Sequence, residues 1–520
     1  MRGHVFVVQA DVTTISCDAW LCPTDGAFSV TRDFRPALGI TGQFLSGHTW
    51  NGRRAVPYTG QASRGTQIVL GNVGQQEHAD GKALAAFVRK LIDVVGDFVD
   101  AAAVCLRRGA EQHLRLALPL IGTGAGGFKF FKGDTIKPLL DELNRLAATE
   151  QVDFVLCVRT PEAWSAVQSA RAPGDWALTE KEEAQAAALA REARDGRLVL
   201  FIGAGASRDA GLPDWKSLLE DLDSSEYSAE QRKLVDQLDL RDRATLIERR
   251  LGSRRELVLN IQKMFNAIDS SIGLTHALLA SLGSQQAITT NYDDLFEQAC
   301  AWREQRITDK RLAVLPYDIV HQGQPWLLKL HGSLRTDRVD SSHEDDIVLT
   351  RADYMRLQRQ RGALYGLVQA VLMTKHLLFV GYSLTDEDFH HLVDEIREAM
   401  PRKADENRDM RGTVLTFDRS PSIELWDDLL GVTAVGSLKG DGARHLQILL
   451  DRVAHAATPS HLHLLKQSFS GLLGQAERDM ATALTQVQEK ANAILAKSPS
   501  NQTALAVRRV LEDFGADPIT

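Results

Sequence analysis

Four short blocks of glycine and polar residues follow apolar runs in the second half of this 520-residue chain. The blocks occupy residues 201–207, 289–293, 329–333 and 380–383, and between them they carry Gly, Ser, Asn, Asp and His. In a doubly wound α/β sheet the carboxyl ends of the strands border one crevice, and nucleotides bind there. Together the four blocks predict a dinucleotide site that carries its own chemistry.

The first block predicts a phosphate-binding turn. Gly203 and Gly205 follow a predicted strand and precede a predicted helix, so backbone N–H groups can approach phosphate oxygens at the positive end of that helix. A tight strand-to-helix turn without a ligand explains the same block. A dehydrogenase fingerprint needs a third glycine where Arg208 stands, so hydride transfer is disfavoured. Asp214 and Trp215 follow closely and extend the predicted site.

The second and third blocks supply side chains for catalysis. Asn291 stands just past a short predicted strand, where its amide can hold a ribose hydroxyl or position a water. Asp293 and Asp294 open the next predicted helix, and the simplest role for Asp294 is a helix cap. His331 follows another apolar strand, and the near-neutral pKa of histidine suits proton transfer or activation of a ribose hydroxyl.

The fourth block resembles a second turn of close backbone approach. It consists of Gly381, Tyr382 and Ser383 after an apolar strand. Ser383 and Asp386 are candidates for hydrogen bonds to ribose hydroxyls. Asp386 equally fits the N-cap of the following helix.

The composition limits the classes of protein that the chain can belong to. Its length predicts two or three domains, and its net charge of -8 argues against nucleic acid as the main ligand. The five cysteines form no Cys-x-x-Cys pair, so neither a zinc framework nor a disulfide framework is expected, and no metal is predicted. The N-terminus does not read as a signal peptide, and no apolar run approaches the length of a membrane span. We therefore expect a soluble, cytoplasmic protein.

The predicted elements divide the chain into three parts. Residues 1–168 alternate strands with helices, as in an α/β domain with a mainly parallel sheet. Residues 169–176 hold Pro and Gly and indicate a linker. Residues 177–440 predict a Rossmann-like, doubly wound α/β domain that carries the four blocks. Residues 441–520 are helical in pattern and predict a tail for contacts in a homo-oligomer or with a partner protein.

Residues 197–389, with the four blocks, resemble the sirtuin family, specifically the bacterial sirtuin-like NAD-consuming effectors of antiphage defence. The sequence departs from the protein-deacylating sirtuins because both Cys-x-x-Cys zinc pairs are missing, Thr290 replaces the usual Gln, and Lys216 replaces the usual Arg. Without the zinc module, peptide binding and deacylation are disfavoured. The resemblance implies NAD+ contacts from one set of residues, with the first five on its phosphates: Gly203, Ala204, Gly205, Ala206, Ser207, Asp214, Trp215, Gly381, Tyr382, Ser383 and Asp386.

The resemblance also implies a reaction. Asn291 would bind the nicotinamide ribose and a water, and His331, the catalytic histidine of the family, would act on a ribose hydroxyl or assist that water. Asp293 would support the developing positive charge or hold Asn291 in place. Water would then capture the ribosyl group, which makes the chain an NAD+ glycohydrolase that releases nicotinamide and ADP-ribose. Such an NADase would be a triggered effector that depletes NAD+ in abortive infection.

Two other functions fit the same blocks. A zinc-free protein deacylase or ADP-ribosyltransferase would consume NAD+ only with an acceptor, whereas the hydrolase needs only water. A non-catalytic sensor of ADP-ribose or NAD+ would bind without turnover. The presence of both Asn291 and His331 argues against the sensor, since binding alone needs neither in that arrangement.

The N-terminal domain resembles macro domains, which bind ADP-ribose. Residues 10–13 and 18–23 match that family's first ligand-contacting region, and Asp11 would accept a hydrogen bond from an adenine amino group. Residues 118–128 match its diphosphate loop, in which small residues expose N–H donors. The loop residues expected to contact the ligand are Gly122, Thr123, Gly124, Ala125, Gly126, Gly127 and Phe128. The Asn residues usual after the second strand are replaced by Pro23, Thr24 and Asp25, which favours binding over hydrolysis; a pocket that has lost its ligand is the alternative.

Overall fold

The protein forms two compact units in a computed structural model. The structure describes residues 2–60, 66–74, 81–106, 113–122, 130–172, 174, 176–223, 227–268, 271–307, 311–334, 346–360, 362–384, 387–399, 410–417, 421–436 and 441–518. Unit 1 comprises residues 1–179 and 458–520, and unit 2 comprises residues 180–457. The candidate residues 123–128 and Asp386 lie outside the described part.

Unit 1 is built on a mixed sheet that has six strands among the described residues. The strands are β1 (Val5–Val8), β2 (Ala19–Thr24), β3 (Ala55–Pro57), β4 (Gln67–Asn72), β5 (Leu114–Pro119) and β6 (Val152–Cys157), and the helices of its first segment are α1 (Gly81–Cys105), α2 (Lys132–Glu150) and α3 (Pro161–Ser169). The strand order is β1-β6-β5-β2-β4-β3, and among these described strands β3 alone forms an antiparallel ladder. The connections through α1 and α2 return the chain to parallel strands. The predicted α/β domain is confirmed.

Unit 2 is built on an all-parallel sheet that has seven strands among the described residues, in the order β13-β12-β11-β7-β8-β10-β9. The strands are β7 (Leu198–Ile202), β8 (Gln286–Thr289), β9 (Ala313–Leu315), β10 (Trp326–Lys329), β11 (His376–Val380), β12 (Gly412–Thr416) and β13 (Leu430–Ala434). From β7 the chain goes to β8 on one side and later to β11 on the other, so the order reverses there. The predicted doubly wound fold is confirmed, and its switch point lies at β7.

Helices flank this sheet and form one further module. They are α4 (Glu180–Arg194), α5 (Trp215–Leu222), α6 (Ala229–Asp236), α7 (Leu240–Leu251), α8 (Arg254–Ala267), α9 (Leu274–Ser281), α10 (Leu295–Ile307), α11 (Arg351–Gln360), α12 (Gly362–Thr374), α13 (Glu387–Ala399) and α14 (Gly442–Ala457). Helices α5 to α8 stand between β7 and β8 and share a small apolar core that includes Leu219, Ala244 and Ile261. We call residues 215–267 the helical insert; the sequence pattern did not predict it as a separate module.

The structure divides the C-terminal segment 441–520 differently from the predicted tail. Helix α14 belongs to unit 2, where Gln447 donates through Nε2 to Asp209 Oδ2 at 2.8 Å and to Thr275 Oγ1 at 3.1 Å. Its apolar face is buried, which keeps it with the α/β domain. The remaining helices, α15 (Gln475–Lys497) and α16 (Gln502–Glu512), belong to unit 1.

The tail is fixed to α3 and α2 within unit 1. Trp164 Nε1 donates to Thr458 Oγ1 at 2.9 Å, and Ser165 Oγ donates to the backbone oxygen of Pro459 at 2.7 Å. A short 3-10 helix, Gln467–Leu472, packs directly on Gly133 near the start of α2. No helix in the described part of the chain is long and apolar enough to cross a membrane.

Gly133→Ala is expected to loosen the tail. An added Cβ would stand 2.7 Å from the backbone oxygen of Phe469, so one of the two segments must move. Overpacking of this kind costs about 1–3 kcal/mol. Thermal unfolding combined with limited proteolysis of residues 458–520 measures the effect. Gly96→Ala in α1 is the matched control, because its Cβ meets nothing within 4 Å; equal behaviour of the two variants would contradict the prediction.

Candidate functional site

A cavity of about 720 Å³ opens in unit 2 at the carboxyl ends of β11, β7, β8 and β10. Parallel pairing places these four ends side by side, because β10 pairs with β8, β8 with β7, and β7 with β11. Most of the predicted site residues of unit 2 line the cavity: Ala204, Gly205, Ser207, Asp214, Trp215, Asn291, Asp293, His331, Gly381, Tyr382 and Ser383. Gly203 and Ala206 are not among the residues that line it.

The first and fourth blocks contact each other backbone to backbone. Gly203 N donates to Val380 O and Gly205 N donates to Gly381 O, both at 2.9 Å. A Cβ on Gly381 would meet Ala206 N at 2.3 Å, and this residue has a φ of +68°, a conformation that favours glycine. The N–H groups of Gly203 and Gly205, expected to face phosphate, are thus bonded to the neighbouring turn. The glycines serve to let two strand-end turns touch, and the following segment, Ala204–Ala210, is a 3-10 helix.

Ser207 is the centre of a buried polar network. Its hydroxyl donates to Asp293 Oδ2 at 2.8 Å and accepts from Asn291 Nδ2 at 3.0 Å, while His276 Nε2 on α9 approaches to 3.5 Å. A hydroxyl has one donor and two acceptor sites, so these three neighbours match its full capacity. Ser207 therefore fixes the side chains of Asn291 and Asp293 relative to each other.

Asn291 presents an unused acceptor to the site. Its Nδ2 also donates to the backbone oxygen of Gly203 at 3.2 Å, which fixes the amide orientation because a flipped amide would place two oxygens together. Its Oδ1 is buried and has no hydrogen-bond partner among the described residues. A buried acceptor without a partner is costly, so this atom is suited to receive a hydrogen bond from a ligand.

Asp293 is held at both carboxylate oxygens. Oδ1 accepts from Leu295 N at 3.1 Å at the start of α10, while Oδ2 is held by Ser207. Asp294 directly precedes α10, and its Oδ1 accepts from Gln298 Nε2 at 2.8 Å. The geometry thus favours the second role considered for Asp293, that of holding Asn291 in place through Ser207.

His331 lies two residues beyond β10 and is 5% exposed. Its ring meets that of Tyr354 on α11 edge to face, with centroids 5.4 Å apart and an interplanar angle of 75°. Trp215 stacks on the same tyrosine at 6.0 Å, and the Arg241 guanidinium lies 5.5 Å from its ring centroid. Trp215 Nε1 is buried without a hydrogen-bond partner in the described part of the chain, which offers a donor as well.

The helical insert forms a wall of the cavity that the sequence analysis missed. Asp239 and Arg241 line it beside Leu238, Leu240 and Phe265. Arg241 and Asp239 form an ion pair at 2.7 Å, and that hydrogen bond lowers the pKa of the Asp239 carboxyl to about 2. Tyr354, which is buried, lies on the Arg-rich helix α11. An aromatic residue within a charged run was the sequence signal for its role.

Asp214 serves as a helix cap as well as lining the cavity. Its Oδ1 accepts from Ser217 N at 2.9 Å at the start of α5, and this hydrogen bond is the main reason that the pKa of its carboxyl lies below the ordinary value. No group of three or more His, Cys, Asp or Glu that could hold a metal ion occurs among the described residues.

In unit 1, Asp11 is buried with a fixed carboxylate. Oδ1 accepts from Thr13 N at 2.9 Å and Thr13 Oγ1 at 2.8 Å, and Oδ2 lies 3.6 Å from a guanidinium nitrogen of Arg159. Gly122 has a φ of +76°, and a Cβ there would meet Phe87 at 2.7 Å. The structure therefore describes the two ends of the predicted ligand region but not residues 123–128.

Residues 285–427 match the family model described as a SIR2-like domain. Three of the four blocks, at residues 289–293, 329–333 and 380–383, lie in this range, and the predicted resemblance of the chain to sirtuin-like proteins is confirmed. Defense-associated sirtuin 2 of Bacillus subtilis is 25% identical over 40% of this chain and 20% of its own length. The protein named NAD(+) hydrolase ThsA is 28% identical in Enterococcus faecium, over 39% of this chain and 40% of that one.

The ThsA of Acinetobacter baumannii is 27% identical over 40% of this chain and 41% of its own length. The chain therefore spans between a fifth and about two fifths of the length of these curated relatives. Among solved structures, a macrodomain mutant from Oceanobacillus iheyensis aligns with 12% identity over 32% of this chain and 88% of its own, at a TM-score of 0.25.

Ser207→Ala is expected to lower the free energy of unfolding by about 1–3 kcal/mol, because it leaves buried groups of Asn291 and Asp293 without their shared partner. Ser281→Ala is the matched control, since that hydroxyl donates at 2.7 Å to Ala277 O, four residues before it in the same helix. Such a bond contributes little to helix stability. Urea denaturation measures both variants, and an equally small change in the two would refute the central role of Ser207.

Proposed function

We propose that the chain is an NAD+ glycohydrolase that cleaves NAD+ to nicotinamide and ADP-ribose. The observation that carries the proposal is the buried Asn291 Oδ1, which has no partner among the described residues and belongs to the same cavity as His331. A ribose hydroxyl or an attacking water is a donor of the kind this atom needs. The names of the relatives, NAD(+) hydrolase and defence-associated sirtuin, support the same substrate and a role in antiphage defence.

In the proposed reaction, water adds to C1′ of the nicotinamide ribose while the bond to the nicotinamide nitrogen breaks. The pyridinium leaves as neutral nicotinamide, and one proton is released. Asn291 orients the ribose or the water, and His331 accepts a proton from a ribose hydroxyl or from that water. Asp293 acts through Ser207, which holds the Asn291 amide in its one favourable orientation.

The proposal extends to how the enzyme is used. Uncontrolled NAD+ hydrolysis is toxic, so the enzyme is expected to stay silent in the cytoplasm until triggered. The tail offers a surface for self-association or for a partner protein, since Met480, Val487 and Ile494 on α15 are 57%, 43% and 47% exposed. Unit 1 would bind an ADP-ribose-type nucleotide as signal or product.

Purified protein incubated with NAD+ and no acceptor is expected to release nicotinamide and ADP-ribose. Loss of a positioned acid–base group costs about 10²–10⁴-fold in rate, so His331→Ala should nearly abolish turnover. Asn291→Ala should do the same. The exposed His321 provides the control His321→Ala, which should retain full activity. Turnover that needs a protein acceptor would instead favour a deacylase or transferase, and unchanged turnover in both site variants would exclude this cavity.

Asp11→Ala is expected to remove ADP-ribose binding from unit 1. Its carboxylate is already oriented by Thr13 and Arg159, so it is the described residue best prepared to accept a hydrogen bond from adenine. Equilibrium dialysis of the full chain should show one ADP-ribose fewer bound per molecule. Asp100→Ala, a change at a 63% exposed carboxylate of the same unit, is the control. The same number bound in wild type and Asp11→Ala would contradict this assignment.

A further inference from the structure

A fully buried lysine lies beneath the site. Lys329 is the last residue of β10 and is 0% exposed, and lysine is almost never fully buried unless it is paired. Its Nζ lies 2.9 Å from Oε1 of Glu297, which is 7% exposed on α10. The same ammonium donates to the backbone oxygen of Asp293. We call Lys329, Glu297 and this carbonyl the buried anchor.

Stability alone does not account for a pair of charges in this position. Removing two charges from water costs several kcal/mol per ion, and well-packed apolar replacements are often neutral or stabilising. Burial raises the pKa of the Glu297 carboxyl, and the neighbouring Lys329 ammonium opposes that rise only in part. The pair instead fixes the relative positions of its groups, because a buried ammonium must direct its N–H groups at hydrogen-bond acceptors.

The buried anchor joins the two segments that carry the predicted catalytic residues. Lys329 precedes His331 by two positions, and its second acceptor is the carbonyl of Asp293 itself. Glu297 lies in the first turn of α10, directly after the turn that holds Asn291 and Asp293. Neither Lys329 nor Glu297 belongs to the described residues that line the cavity. They can therefore act on the site only through position.

We propose that Lys329 and Glu297 are positioning residues that set the distance between the Asn291–Asp293 turn and His331. Pairing of β10 with β8 already brings Lys329 opposite Thr289, but a strand pair does not fix the turns beyond its end. The ionic contact and the hydrogen bond to Asp293 extend that alignment into the site. The expected effect on kcat rests on the proposed NAD+ cleavage. The role of the pair in positioning the two segments does not depend on that function.

The test compares Lys329→Met with the double variant Lys329→Met/Glu297→Leu. The single change leaves a buried carboxylate without its counter-ion and should lower the melting temperature strongly. The double change removes both charges and should restore it. Because a misplacement of 1 Å can cost about 10²-fold in rate, kcat of the double variant should stay about 10–100-fold below wild type while KM for NAD+ changes little. A merely structural pair would recover stability and kcat together.

A second measurement tests the positioning role without relying on NAD+ cleavage. Hydrogen exchange of the amides in residues 289–298 should be faster in the double variant than in wild type, without any NAD+ present. If wild type cleaves no NAD+, the proposed function fails while the exchange rates still decide the proposed positioning role. The positioning role would be refuted if the double variant regained the melting temperature of wild type and also showed the same exchange rates and the same kcat as wild type.

Lys375→Met is the matched control. This lysine also donates to a backbone carbonyl, that of Gly196 at 2.9 Å, but it is only partly buried and lies at the amino ends of β11 and β7, away from the cavity. The Lys375→Met change should leave both kcat and the amide hydrogen exchange of residues 289–298 unchanged. If the double variant does not fold, Glu297→Gln serves in its place, since it removes the charge and keeps the volume. A loss of kcat no greater than in Lys375→Met would then refute the proposal.

Discussion

Parallel hydrogen bonding between β11, β7, β8 and β10 is the constraint on which the site of unit 2 depends. Each of these strands contributes a turn at its carboxyl end, and the pairing places the four turns along one edge. Residues that are up to 179 positions apart in the chain, such as Ala204 and Ser383, are brought toward that edge only by this register.

At the carboxyl ends of these strands, the polar side chains of the site hold one another in place through hydrogen bonds. Ser207 matches its three hydrogen-bonding positions with three neighbours, and Asp293 uses one oxygen for the serine and the other for the start of α10. In a low-dielectric interior such a network is rigid because any rearrangement strands a buried group. The exception on the Asn291 side chain, its unpartnered Oδ1, is therefore the informative atom of the site.

The sequence alone was sufficient for the strand ends and for the residue types gathered there, because apolar runs closed by Gly, Asn or His have a local signature. The sequence was insufficient for features that depend on contacts between distant segments, such as hydrogen-bond partners and the walls of the cavity. Gly203 and Gly205 were expected to face a ligand, yet their N–H groups bond to the adjacent turn. The helical insert and Tyr354 shape the cavity from chain segments whose local pattern is that of ordinary amphipathic helices.

Unit 1 is interrupted in the chain by unit 2, since residues 1–179 are completed only by residues 458–520. Domains tend to fold as units during synthesis, in order from the N-terminus. On the ribosome, the whole of unit 2 emerges before the helices that finish unit 1 are made. A chain released early, near residue 457, would thus contain the entire parallel sheet and its cavity while lacking the final helices of its companion.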